Sequence, residues 1–190
     1  PSFSHDMLVD AGFTGEVVKI GVHRAYSVRH GAGPMPTADP DMNDNLLPGS
    51  SKGENRYQGK IRVGPLDFVL LRYAIDVCGG PGAIDGLAIS WFDQISRNGV
   101  WKTCNRYDDY DNNYFASDER IRVYGGESYQ QKLCSSLFAC KPEIVSIELP
   151  NSVGEQCRLC DRELHDKLGV PVHLISFGPA EQNKIMRNET

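Results

Sequence analysis

The sequence predicts an α/β protein: one unit over residues 1–190, built as a mixed sheet with flanking helices. Three observations carry that expectation. Apolar residues switch between period two and helical spacing along the chain. The later half alternates helix-type and strand-type segments, the order that builds an α/β sheet. No internal repeat, low-complexity tract or linker divides the 190 residues, a length that suits a single domain.

The elements follow in order. Residues 17–29 place Val18, Ile20 and Val22 at period two, which predicts a partly buried strand. It runs into His30-Gly31-Ala32-Gly33-Pro34, too rich in Gly and Pro for regular structure. Residues 38–58 are polar, hold Pro40, Pro48 and Gly49, and read as a long loop. Over 66–77 the period changes: Leu66, Val69, Leu70, Tyr73, Ala74 and Val77 share a helical face. Gly79-Gly80-Pro81-Gly82 ends that helix. Residues 84–91 form a short buried strand. Val100–Thr103 and Ile121–Tyr124 read as strands around an acidic loop. Ser128 and Gln131 have capping-box spacing ahead of a helix carrying Leu133, Leu137 and Phe138. Residues 143–149 alternate as a strand, 155–168 are helical, and 170–176 form a final strand that stops at Phe177-Gly178-Pro179.

Composition narrows the function. The formal net charge is −5, and phosphate backbones select basic faces, so nucleic acid is not the expected partner. No apolar run approaches the roughly 20 residues that span a bilayer. No basic stretch precedes an apolar run near Pro1, so no signal peptide is expected. Pro1 is no translation start, and the first residues read as interior to a longer sequence. The six cysteines are too sparse for a secreted disulfide scaffold, which predicts free thiols and a cytoplasmic protein.

Four segments at breaks in regular structure have chemistry to offer, and α/β folds bind ligands at such strand ends. Arg29-His30-Gly31-Ala32-Gly33-Pro34 lets backbone approach a ligand closely. In an extended Gly59-Lys60-Ile61-Arg62, Lys60 and Arg62 point to one side as a cationic pincer for carboxylate or phosphate. Asp93, in Ser90-Trp91-Phe92-Asp93, can accept from both the N1–H and the 2-amino group of guanine, and Trp91 can stack or pack. Ser176-Phe177-Gly178-Pro179 is again a strand running into an open turn. Taken singly, each is also an ordinary turn with solvated charges.

Taken together and in order, they resemble the C-terminal portion of adenylosuccinate synthetases. Residues 24–37, Arg-Ala-Tyr-Ser-Val-Arg-His-Gly-Ala-Gly-Pro-Met-Pro-Thr, are similar to that family's Ala-Tyr-Ser/Thr-x-Arg-x-Gly-x-Gly-Pro-x-Pro-Thr motif. Lys60 and Arg62 then fall on its aspartate-binding loop, and Leu71-Arg72-Tyr73-Ala74 resembles its next helix. Ser90–Asp93 is similar to its Thr-Lys-Leu-Asp guanine segment, and Ser176–Pro179 to its Ser-x-Gly-Pro segment. Trp91 stands where the family has Lys, and Lys60 where its Thr-Thr-Gly-Arg-x-Arg loop has Arg.

The resemblance implies GTP-dependent ligation of L-aspartate to IMP, giving adenylosuccinate for AMP biosynthesis, with magnesium. It assigns Asp93, Trp91, Ser176, Gly178 and Pro179 to the guanine nucleotide, Lys60 and Arg62 to substrate aspartate, and His30 and Gly31 to IMP. Residues 1–65 would hold the nucleotide and aspartate loops, and 66–190 the α/β part with the guanine-binding turns. The phosphate-holding Gly-rich loop, the catalytic Asp and His and the magnesium ligands belong to the family's N-terminal half, and none of them is found here. The chain by itself is therefore expected to be inactive, and its partners are that N-terminal half and a second copy in a homodimer. Two alternatives stay open: a non-catalytic nucleotide-binding module, and a divergent synthetase for another purine nucleotide.

Weaker signals read as structure. Cys157 and Cys160 have zinc-ligand spacing but share a helical face with Leu164 and Leu168, as core residues do. Asp108–Asn113 lacks the Gly and terminal Glu of a calcium loop and reads as solvated acid. His23 and His173 sit inside strands, with a structural role.

Overall fold

A computed structural model describes residues 3–46 and 54–186. An opening helix α1 (Phe3–Asp10), which the periodicity did not suggest, precedes the first strand. That strand is not continuous over 17–29. It breaks at Ala25-Tyr26 into β1 (Ile20–Arg24) and β2 (Ser27–Arg29), and both residues at the break are fully buried. The break has a mechanical cause: the Trp101 indole N–H donates to Ala25 O at 2.7 Å and holds the chain as it turns between two sheets.

The 38–58 loop is partly ordered. It contains helix α2 (Pro40–Leu46), which buries Met42 and Leu46, and a small hairpin of β3 (Glu54–Asn55) and β4 (Gly59–Lys60). Asp39 starts α2 by accepting from the Asp41 and Met42 amides. Pro48 and Gly49 lie outside the described residues. β5 (Arg62–Gly64) then pairs antiparallel with β2. Gly64 is obligatory by contact, because a Cβ there would sit 1.7 Å from Thr37 O. Gly64→Ala is expected to cost about 1–3 kcal/mol, as overpacking does. Urea denaturation of the variant measures it, and an unchanged midpoint would contradict the close approach.

Leu66 and Asp67 are strand β6 rather than the first helical turn. Asp67 is instead the N-cap of α3 (Phe68–Val77), accepting from the Leu70 amide. The buried positions are Phe68, Val69 and Ile75, while Ala74 and Val77 are exposed. The helix is apolar on more than one side because it lies between two cores. Phe68 and Ile75 enter the larger one, and Val69 enters a second with Cys104, Tyr107, Phe115, Ile121, Leu133, Leu137 and Cys140.

A short 3-10 turn (Pro81–Ala83) leads into β7 (Gly86–Ser90), the expected buried strand. Helix α4 (Phe92–Asn98) follows at once; at seven residues it is too short for periodicity to show. β8 (Val100–Asp108) is longer than its predicted piece. Ile121–Tyr124 is no strand, keeping only an isolated bridge from Ile121 to Phe115. That segment is fixed by side chains: Arg120 binds both oxygens of Asp76, and the Tyr129 hydroxyl donates to Arg122 O at 2.6 Å. Asp108, Asp109 and Asp111 are exposed as expected, and so are Asn112 and Asn113.

Helix α5 (Glu127–Leu137) starts after Gly126, so Ser128 lies within it and forms no capping box. Gln131 donates to Glu127 instead. Leu133 and Leu137 are buried, but Phe138 is exposed because the helix has ended. β9 (Lys141–Glu148), α6 (Val153–Leu168), β10 (Val172–Ser176) and β11 (Lys184–Met186) complete the chain, with a 3-10 turn (Glu181–Asn183) before β11. α6 buries Cys160, Leu164 and Leu168 as its spacing predicts.

The main sheet has the order β1-β7-β10-β11, with β1, β7 and β10 parallel and β11 antiparallel. A second sheet has the order β6-β8-β9. This is the mixed α/β architecture, divided between these two sheets and the two-stranded pairs β2-β5 and β3-β4. On the main sheet, Leu87, Ile89 and Ile175 face the core beneath α6. The other face carries Val22, Ala88, Leu174 and Met186 in register, and Val22 and Met186 are exposed.

Candidate functional site

The parallel strands β1, β7 and β10 end at Arg24, Ser90 and Ser176, and their carboxyl ends meet at a cavity of about 440 Å3. Trp91, Asp93, Ser176, Gly178 and Pro179 all line it, over Val22, Ala88 and Leu174. Two segments 85 residues apart in sequence are thus brought to one place. Alternation explains how. Phe92 points inward between Trp91 and Asp93, and Phe177 between Ser176 and Gly178; the two rings meet at 5.2 Å beneath the cavity. Phe92 in turn rests edge-on against Trp101 at 5.5 Å.

The backbone is bent to make this turn. Trp91 has φ +62°, a left-handed conformation that a bulky residue rarely takes, as happens at functional turns. The Arg24 guanidinium lies 4.9 Å from the centroid of its ring, a cation–π contact that fixes the indole. Asp93 is mostly buried in the first turn of α4. Its Oδ2 accepts from Gln94 Nε2 at 2.8 Å and pairs with Arg97 at 3.2 Å. On the opposite wall the Ser176 hydroxyl donates to Gly178 O at 2.9 Å, and so does the Lys184 ammonium. A Cβ at Gly178 would lie 2.7 Å from Asn183 Oδ1, so a larger residue there would have to displace the Asn183 side chain from the Ala180 amide. Lys184 is not among the sequence candidates; it lies beyond the last strand that the periodicity predicts.

The other predicted residues divide between two shallower concavities. Gly31, Lys60 and Arg62 share one of about 390 Å3 with Tyr57, Gln58 and Gly59. The extended alternation holds, since Ile61 is buried while Lys60 and Arg62 reach this surface. The pincer is modified, however. Arg62 Nη2 donates to Gly31 O and Gly33 O, each at 2.6 Å, so Arg62 fastens the glycine loop and Lys60 is the more exposed charge. His30 is not with Gly31. It lines a neighbouring hollow of about 360 Å3 with His23, Arg24, Tyr26, Val28 and Ser90. Burial lowers the His23 pKa, and its Nδ1 donates to Arg24 O at 2.6 Å, which fits a structural role. The Tyr26 hydroxyl is buried in this hollow, and burial raises its pKa.

The thiols are placed as core residues. Cys160 is fully buried, Cys157 is half-buried, and burial raises the pKa of both. Among the described residues no three His, Cys, Asp or Glu side chains gather as metal ligands. None of the described helices is long and apolar enough to cross a membrane.

The strand ends converge on a cavity at the carboxyl edge of a parallel sheet, the edge at which α/β folds bind ligands. The family model for adenylosuccinate synthetase matches residues 6–185, and the chain belongs to that family. It is 30% identical over 185 residues to the adenylosuccinate synthetase of Moorella thermoacetica, covering 88% of this chain and 38% of that protein. A Synechococcus adenylosuccinate synthetase is also 30% identical, with 88% and 37% covered. The fold is similar to that of the fully ligated enzyme from Plasmodium falciparum, with TM-score 0.66 at 17% identity over 95% of this chain and 43% of that one. The chain therefore spans under two fifths of the length of these curated relatives.

Proposed function

We propose that this chain is the part of an adenylosuccinate synthetase that binds the guanine base and positions the other two substrates. The assembled enzyme would join L-aspartate to IMP at the expense of GTP. One observation carries the reading: Trp91, Asp93, Ser176, Gly178 and Pro179 line a single cavity at the strand ends. Such a cavity takes one flat ring, with the indole on one side and the Ser-Phe-Gly-Pro turn on the other. Asp93 accepts from the N1–H and 2-amino groups, which only guanine among the common bases offers together. To do so it exchanges its bond with exposed Arg97 for the base.

Lys60 would hold a carboxylate of substrate aspartate, while Arg62 keeps the Gly31–Gly33 loop in the shape that faces IMP, with His30 at its edge. These groups orient and bind; they move no proton. We place magnesium ligation, the phosphate loop and the acid–base pair in the N-terminal half of the family's sequence, the partner this chain would need for turnover. Trp91 and Lys60 replace the Lys and Arg of the resembled motifs, and these two departures favour a second reading, a divergent synthetase for a related purine nucleotide.

The test is GDP binding, followed by the fluorescence of Trp91. Asp93→Asn is expected to weaken binding about 10- to 100-fold, the loss of charge-assisted hydrogen bonds to the base. Unchanged affinity would remove Asp93 from the base site. Formation of adenylosuccinate by this chain alone would refute the division of labour.

A further inference from the structure

The open face of the main sheet is ordered by register into two rows. Arg24 pairs with Ser90, and Ser176 pairs with Lys184, so these four residues form a polar row across the strand ends. One step back, Val22, Ala88, Leu174 and Met186 form an apolar row. The cavity lies over both, and Lys184 is part of its wall together with Asp93 and Trp91.

We infer that Lys184 reads the 6-oxo oxygen of the base, and so fixes the site's choice of 6-oxopurines over 6-aminopurines. This deepens the guanine reading given above and rests on it. The pairing edge of guanine offers one acceptor, the 6-oxygen, followed by two donors. A carboxylate satisfies the two donors and leaves the acceptor without a partner, at a cost once the base is desolvated. The remaining partner has to be a donor in the same cavity. Arg24 is committed to the face of Trp91, Gln94 Nε2 to Asp93 and the Ser176 hydroxyl to Gly178 O, and Arg97 pairs with Asp93 with most of its side chain in solvent. Lys184 lines the cavity itself. Its ammonium is held at the rim by Gly178 O, and with three donors it can keep that bond while making another. Adenine reverses both ends of the edge, placing its amino group against the ammonium and an unprotonated N1 against the carboxylate. Opposite charges at Asp93 and Lys184 thus give the cavity a polarity that matches only one arrangement of the purine.

The experiment compares GDP with 6-thio-GDP, whose sulfur is a poor acceptor but which keeps the N1–H and the 2-amino group. Trp91 reports binding to this chain, since Trp101 is fully buried. The unaltered chain is expected to prefer GDP about tenfold, the size of one charge-assisted hydrogen bond. Lys184→Met should erase that preference by weakening GDP alone, and Lys184→Arg should retain it. The inference is overturned if Lys184→Met keeps the preference. It is overturned equally if both nucleotides weaken together, which would mean that Lys184 only pins the turn at Gly178. Asp93→Asn separates the two levels. If Asp93→Asn weakens GDP while Lys184→Met keeps the preference, the role of Lys184 falls and the guanine site stands. If Asp93→Asn leaves GDP binding unchanged, or the unaltered chain binds neither nucleotide, the guanine site falls and takes Lys184 with it.

Discussion

Trp101→Ala is expected to destabilise the chain by about 3–5 kcal/mol, the cost of emptying a fully buried aromatic site. The residue is wholly inaccessible and its indole N–H donates to Ala25 O. Truncation leaves that buried carbonyl without its donor, which adds about 1 kcal/mol or more. The damage would not stay in the core. Trp101 supports Phe92, and Phe92 touches Phe177. Those two rings hold the Trp91–Asp93 and Ser176–Gly178 segments at a common depth. The same substitution should therefore weaken nucleotide binding even where the chain is still folded. Trp101→Phe separates the contributions, since it keeps a ring against Phe92 but removes the donor. Urea denaturation of both variants, with GDP titration in the native baseline, is the measurement. A loss below about 1 kcal/mol for Trp101→Ala would mean that the site collapses around the smaller side chain.

The elements that sequence periodicity recovered are those whose burial follows one simple pattern. α6 has one buried stripe, Cys160-Leu164-Leu168, and β7 is a short apolar run inside a sheet, and both lie where the pattern puts them. The segment 66–77 departs from the single helical face its spacing predicts, because the two buried sides of α3 serve two cores and Leu66 and Asp67, ahead of it, pair with β8 as strand β6. The apparent strand over 17–29 divides because Trp101, 76 residues later, grips Ala25. No local pattern encodes that contact. The region from 109 to 124 is held by Arg120–Asp76 and a cluster of tyrosines rather than by a ladder, so neither period appears in it. The candidate site residues stand out in the sequence because they sit in turns with distinctive composition. Their convergence in one cavity rests on the parallel order β1-β7-β10. Lys184 was not legible at all, because its position depends on an antiparallel return that a three-residue strand does not announce.

Asp67 makes stability depend on pH in the direction opposite to most carboxylates. It is almost completely buried, and burial pushes its pKa from 3.8 up to about 6. The Tyr107 hydroxyl, which donates to Oδ2 at 2.6 Å, the Leu70 amide and the nearby Arg72 guanidinium pull the other way and only partly offset the desolvation. Because the folded-state pKa lies above the unfolded one, the folded chain binds this proton more tightly. The contribution is fully present below pH 4 and is lost as pH rises through about 6. The gap between 3.8 and about 6 corresponds to about 3 kcal/mol. Other carboxylates change stability over the same window, so the informative quantity is the difference between the native chain and Asp67→Asn at each pH. The amide keeps an acceptor for the Leu70 N–H and presents a donor to the Tyr107 oxygen without carrying charge. Relative to the native chain, the variant should therefore gain about 3 kcal/mol between pH 4 and pH 8, measured by urea denaturation at intervals across that range. A difference that stays flat with pH would mean that Asp67 titrates alike in the folded and unfolded chains, and that the Tyr107 bond and the α3 N-cap together solvate its charge as well as water does.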